Sequence, residues 1–238
     1  PVADLADVGP AELFLISVAD DAIGSVAAQL ADINVNWIQT VVFHCSGIHT
    51  SELLTPLAQR GSATASLHPA HSFADPTISV EAFSGTQCIL EGTTTAQEIL
   101  KPLFCGLNAN VVPIDQHLKP LYHTATAVAS NHLIALFDTS VKMLEAAGFS
   151  PEKALETIRP LAMQSADNYF SLGAHALTGP VSRGDCGTVA RHLDALKVNQ
   201  PELVASYLAL SKITLQIAKS SAIKPGHQHI ETLLNQFD

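Results

Sequence analysis

Between Leu13 and Pro113 short apolar runs alternate with segments of helical periodicity, and after about residue 116 no strand-like run recurs. This change of pattern restricts the fold more than any other feature. Strands alternating with helices imply a mostly parallel sheet, whereas an unbroken helical period implies a separate helical unit. Leu13-Phe-Leu-Ile-Ser-Val18 is apolar except for Ser17, as in a strand covered on both faces. Further strands are expected at 40–44, 63–67, 87–91 and 110–113. Helices are expected after Asp20 and Asp21, at 51–60 and at 96–107, with a polar loop from His68 to about Gly85. In the second half Pro120 opens a helix reaching Ala147, and Ser150-Pro151 opens another, which Pro160 is expected to bend or split. A loop at 171–184 then leads to Asp185, a cap for a helix reaching Leu196, and two more helices follow at 201–222 and 227–237. The expected fold is α/β followed by all-α, with domains 1–115 and 116–238.

Composition sets outer limits. With 47% hydrophobic and 14% charged residues the chain can build a sizeable core and is not disordered. No apolar run approaches the ~18–20 residues of a membrane span, so no membrane association is expected. Twelve Lys and Arg against twenty-two Asp and Glu give a net charge of -10, which argues against binding nucleic-acid backbone. Cys45, Cys88, Cys105 and Cys186 lie far apart without a C-x-x-C pair, which suits reduced thiols and a cytoplasmic location. The chain starts at Pro1, and nothing near it reads as the opening of a domain; an upstream segment is expected.

No G-x-G-x-x-G phosphate-binding fingerprint occurs anywhere in the 238 residues. Ligands of parallel sheets nevertheless bind beyond the carboxyl ends of the strands. Val18, Asp20, Ser46, Gly47 and His68-Pro69 fall at those ends, although Asp20 also reads as a plain helix cap and Gly47 as a plain turn. An imidazole at His68 is placed to accept or donate the proton that accompanies hydride transfer. His44, Cys45, His49, His68 and His71 are also possible metal ligands. No helical i, i+4 pair or carboxylate motif supports that, so no metal is expected, and His49 and His71 read as surface or structural residues. On the long helix His123, Thr126 and Ser130 share one face, with Thr124 and Asn131 along its edge. Solvent-facing stripes usually carry Lys and Glu, so this neutral one is expected to line a cleft. Thr178-Gly-Pro-Val-Ser-Arg-Gly-Asp185 offers Arg183 and free backbone N–H groups to an anion, or is a structural turn capped by Asp185.

Four groups of residues, in this order, carry a family resemblance. They are Ser46-Gly47, Ser66-Leu-His-Pro69, Leu121-Tyr-His-Thr-Ala125 with Ser130-Asn131, and Ala176-Leu-Thr-Gly-Pro180 with Arg183-Gly-Asp185. Together they resemble uncharacterised oxidoreductases of the 6-phosphogluconate dehydrogenase-like superfamily, which join a Rossmann-like domain to a helical C-terminal domain of unknown function. The resemblance runs from about Ala11 to Leu210. It implies that residues 1–115 are the later part of a Rossmann-like, NAD(P)-binding parallel sheet, and that the helical domain often dimerises. It also implies an active site in the interdomain cleft. Prephenate dehydrogenases of the superfamily carry a similar His-Pro whose His meets the reacting oxygen, a role carried over to His68 alone. Hydroxyacid dehydrogenases place a Lys and an Asn one turn apart on the first long helix. Here Lys119 precedes Pro120 and Asn131 lies three turns on, so that pair is not reproduced.

The function expected is hydride transfer between NADP or NAD and a small hydroxy- or keto-acid-like substrate. His68 or His123 would serve as acid/base, and Asn131, Thr126 and Ser130 would orient the substrate. Arg183 would hold its acid group, and Val18, Asp20, Ser46 and Gly47 would hold the cofactor. A homodimer is expected, acting on a small molecule and not on nucleic acid. The rival is a non-catalytic nucleotide-binding or scaffold protein; a metal-assisted hydrolase built on His68 and His71 is weaker still.

Overall fold

The structure, a computed structural model, describes residues 4–237. It divides into two compact units, 1–132 and 133–238. The second unit begins at Leu133, so the helix bearing the polar stripe belongs to the sheet unit, whereas the sequence pattern places it in the helical domain. Periodicity alone cannot show which body a helix packs against.

The first unit is built on five strands in the order β1-β2-β3-β4-β5: β1 (Leu13–Ile16), β2 (Val41–His44), β3 (Ala63–Pro69), β4 (Gln87–Gly92) and β5 (Asn110–Pro113). Three neighbouring pairs are parallel. The sheet is thus mostly parallel, as expected, with one exception: β4 runs antiparallel to β3. Residues 70–86 join them, and an antiparallel pair requires no crossover helix. They include a short helix, α3 (Pro76–Glu81), where a loop is expected. Asp75 accepts from the backbone N–H of Thr77 and Ile78, and Pro76 stands in the first turn, so the cap signal was present in the sequence.

All four residues of β2 are buried. Alternation sends Val42 to one core, with Ile16, Ile23, Ala27, Leu30, Leu54 and Leu57, and Val41 and Phe43 to another, with Ala65, Leu67, Leu90, Ala96 and Leu100. The helix α1 (Ile23–Asp32) buries Ile23, Ala27, Leu30 and Ala31, one stripe at helical spacing. On the other face α4 (Thr94–Gly106) buries Ala96 and Leu100 and is capped by Thr93, whose hydroxyl accepts from Ala96 N–H. Each fully buried Leu contributes roughly 1.5–3 kcal/mol. These two apolar layers fix the sheet, and with it the strand ends.

A short helix α2 (Thr55–Ala58) completes that packing, and α5 (Lys119–Ala127) closes the first unit, continuing as a π-helical turn at Val128–His132. The second unit comprises α6 (Leu133–Ala146), α7 (Pro151–Leu172), α8 (Gly179–Arg183), α9 (Cys186–Asn199), α10 (Val204–Ser221) and α11 (Pro225–Asn235). Ser150 and Asp185 cap α7 and α9, as their sequence positions indicate. α7 runs unbroken through Pro160. The stretch expected to be a loop holds α8, with Pro180 in its first turn. Val181, Val189, Leu193, Leu215, Ile230 and Leu234 form the core of this unit. Among the described residues no helix is long and apolar enough to cross a membrane.

Candidate functional site

The site grows from a match between strand and helix spacing. Ser66 and His68 are two apart on β3 and so share a face, about 6.6 Å from one to the next. Lys119, Tyr122 and His123, at i, i+3 and i+4 of α5, share a helix face over about 4.5–6 Å. Lys119 donates to Ser66 Oγ, and the Tyr122 hydroxyl lies 2.8 Å from His68 Nδ1. The two rows lie face to face, with His123 closing the row one residue beyond Tyr122. The His68 and His123 rings stand edge to face, their centroids 5.7 Å apart.

A buried network anchors the row. Lys119 is completely buried; its ammonium donates to the His49 carbonyl and to Ser66 Oγ and stands 3.7 Å from Glu91 Oε1. Glu91 accepts from the Ser51 backbone N–H and hydroxyl, each at 2.8 Å. The antiparallel β3–β4 register sets Glu91 directly beside Ser66. Burial lowers the Lys119 pKa to about 8, with the Glu91 carboxyl opposing the shift. None of these contacts was anticipated. The signals were available: Glu91 is a lone carboxyl after Cys-Ile-Leu in an apolar strand, and Lys119 stands one turn before His123.

At the end of β2 the chain turns through Ser46 and Gly47, both buried. His44 holds this turn from below. Its Nδ1 accepts from Ser46 N–H at 3.2 Å and its Nε2 donates to the Thr50 carbonyl at 3.1 Å, while burial lowers its pKa to about 4. Ser46 Oγ donates to Asp20 Oδ2 at 2.8 Å and accepts from His49 N–H. Asp20 therefore ties the ends of β1 and β2 together and makes no side-chain cap for α1. Val18, two residues earlier, is exposed. Gly47 faces the histidines: a Cβ there would run into the His123 ring and come within 3.0 Å of His68 Nε2. The buried His123 Nδ1 has no hydrogen-bond partner.

Beside them opens a cleft of about 630 Å³ lined by His68, His71, His123, Thr126, Ser130 and Asn131 among others. That volume is in the range of small-molecule sites. Of the lining residues none is Lys, Arg, Asp or Glu. The π turn at Val128–His132 widens the helix and brings both Ser130 and Asn131 to this cleft, where a regular helix would split them between face and edge. Thr126 donates back to the His123 carbonyl at 2.9 Å. His71 Nδ1 is 3.4 Å from the Thr86 hydroxyl and its ring packs on Phe73. His68 carries a pKa lowered to about 4 by burial and by the neighbouring His123 and Lys119, so it is neutral near pH 7. Burial raises Cys45 and Cys88 to about 11, leaving both as thiols. Arg183, exposed at the end of α8, belongs to the second unit. Among the described residues no group of three or more His, Cys, Asp and Glu could hold a metal ion.

A sheet whose strand-end turns carry polar contacts, followed by an all-helical unit, defines a Rossmann-like protein with a helical C-terminal domain. Two family models match in that order: a Rossmann-like domain over residues 1–69, and a domain of unknown function, DUF2520, over residues 86–214. The second covers more than half of the chain, which belongs to the DUF2520 family.

Protein TM1727 from Thermotoga maritima is similar in structure, with a TM-score of 0.74 and 26% identity over 92% of this chain and 83% of that one. BF3122 from Bacteroides fragilis, provisionally named an NADP oxidoreductase, shares the fold at a TM-score of 0.71 and 19% identity over 90% and 80% of the two chains. A pyrroline carboxylate reductase from Plasmodium falciparum, solved with NADP bound, is more distant, at a TM-score of 0.53 and 11% identity over 87% and 78%. No curated protein matches the sequence.

Proposed function

We propose that the protein is a nicotinamide-dependent oxidoreductase acting on a small hydroxy- or keto-acid-like molecule. The observation that carries this reading is the convergence of His68 and His123 on Gly47, with one buried imidazole nitrogen left unpartnered. Buried polar groups are almost always hydrogen-bonded, so an orphaned ring nitrogen at a strand end, where such sheets take ligands, fits a missing ligand group. The names of the similar structures, an NADP oxidoreductase and a reductase with NADP bound, support the same reading.

In this proposal Val18, Asp20, Ser46 and Gly47 hold the nicotinamide end of NADP or NAD. The bound cofactor supplies or accepts hydride. Ser46 acts through the backbone it fixes, since its hydroxyl is already committed to Asp20 and His49. His68 and His123 serve the substrate oxygen, and Asn131, Thr126 and Ser130 orient the substrate. The large apolar side chains exposed on α7, among them Leu161, Met163 and Phe170, fit a homodimer.

Calorimetric titration of NADPH and NADH into the full-length protein tests the reading. Micromolar binding of either is expected, and no binding at millimolar cofactor would sink it. The Lys–Asn pair of the hydroxyacid dehydrogenases, which Lys119 and Asn131 do not reproduce, favours a second reading, a nucleotide-binding or scaffold protein that keeps the fold without catalysis. Tight cofactor binding with no turnover across a panel of hydroxy and keto acids would support that one.

A further inference from the structure

Tyr122 was not among the residues that the sequence singles out for chemistry, yet its hydroxyl is the hydrogen-bond partner of His68. The Oη–Nδ1 distance is 2.8 Å and the rings stand at 72°. A neutral imidazole carries one proton, and the pair admits two arrangements. If His68 Nδ1 bore the proton, it would donate to the Tyr122 oxygen, and the phenolic proton would need another acceptor. Among the described residues His68 is the one hydrogen-bond partner of that hydroxyl. If the phenol donates to Nδ1, the phenolic proton is paired, and the imidazole proton sits on Nε2, free to meet a ligand. That nitrogen is the one facing Gly47, 3.0 Å from where a Cβ would stand.

We propose that Tyr122 is the positioning residue of His68: its O–H donates to Nδ1, fixes the ring as the Nε2–H tautomer, and presents that N–H beside Gly47 to the acceptor atom of an uncharged carbonyl or imine. The protonation states agree. Burial raises Tyr122 to about 12, so it keeps its proton, and His68 is held neutral by burial, His123 and Lys119. His68 is then a hydrogen-bond donor that polarises a C=O or C=N bond, while proton transfer falls to His123, whose buried Nδ1 is unpartnered. The ligand class follows from the lining as well, since no Lys, Arg, Asp or Glu side chain lines the adjoining cleft to neutralise an ion at the reacting end. The use made of the donor rests on the oxidoreductase reading; the tautomer stands on the geometry alone.

The test is a long-range 1H–15N spectrum of the full-length protein labelled with 15N-histidine. In the wild type His68 should show an acceptor-type Nδ1 and a protonated Nε2 near neutral pH. In Tyr122→Phe the ring should shift to mixed tautomers, while its titration midpoint stays well below 6.5 because burial is unchanged. A protonated Nδ1 in the wild type, or an unaltered tautomer in Tyr122→Phe, overturns the assignment. The wild-type spectrum decides by itself if the variant does not fold. Acetone, an uncharged carbonyl probe, should move the His68 Nε2 signal; no response, or a response to acetate alone, overturns the ligand class. Failure of cofactor binding in calorimetry would remove the oxidoreductase reading and leave the tautomer in place.

Discussion

The Tyr122 hydroxyl lies 2.8 Å from His68 Nδ1, although the two residues are fifty-four positions apart. The contact joins the end of a central strand to a helix at the far end of the first unit. Around it the structure places His68, His123, the buried Lys119 and the Gly47 turn, and each supports a measurable consequence.

Gly47→Ala should perturb the site more than its size suggests. The added methyl meets the His123 ring and His68 Nε2, so the ring must move or the turn must shift. Overpacking of this kind costs about 1–3 kcal/mol. Urea unfolding should show that loss, and cofactor titration should show weakened binding. Wild-type values in both would mean that the two histidines do not converge on Gly47.

Lys119→Met should be strongly destabilising because it strands the buried Glu91 carboxyl without its cation. Breaking one partner of a buried pair costs about 3–5 kcal/mol, whereas replacing both by apolar groups is often neutral. The double variant Lys119→Met with Glu91→Leu should therefore recover part of the loss. Denaturant midpoints of the three proteins check it; a single variant as stable as wild type would remove the pair from the framework.

Acidification should weaken the fold before carboxyl titration dominates. His44 and His68 have folded pKa values lowered from 6.5 to about 4. The unfolded chain then binds more protons than the folded one over that window. Their stabilising contribution is complete above about pH 6.5 and is lost as pH falls toward 4. For the more buried His44 this amounts to on the order of 3 kcal/mol. Thermal melts at stepped pH should show the decline, and His44→Gln, whose neutral amide does not titrate, should flatten it.

In a substrate screen that yields turnover, His68→Gln should keep more activity than His68→Ala. The glutamine amide offers an N–H near the position of Nε2 but cannot transfer a proton. His123→Ala should lower kcat by about 10²–10⁴, the usual contribution of a positioned acid or base. Turnover left intact by both His68→Ala and His123→Ala would remove the mechanism.

Met163→Glu on α7 should disfavour self-association. Met163 is 57% exposed and lines an apolar hollow with Phe137, Val141, Leu155 and Ile158. Placing a charge in a buried interface should weaken a dimer by at least ~tenfold, or about 1.4 kcal/mol. Sedimentation velocity across a concentration series would show it, and a wild-type protein that is monomeric throughout would remove the homodimer.

The sequence by itself determined the elements, because their signals are local. The apolar run at Leu13, the caps at Ser150 and Asp185 and the loss of strand pattern after residue 116 each act within a turn or two of chain. Even the missed helix at 76–81 had its cap in Asp75-Pro76. Gly47 and His68 were legible as strand-end residues for the same reason. Only tertiary structure decided the antiparallel step from β3 to β4, and with it the pairing of Glu91 beside Ser66. It alone set Lys119 and Tyr122 against β3, and it turned Asp20 from an expected helix cap into a partner of Ser46. Those contacts span 26 to 54 positions, and no local pattern encodes which strand face a distant helix will cover. Periodicity fixes which residues share a face; the packing of the whole unit decides what that face meets.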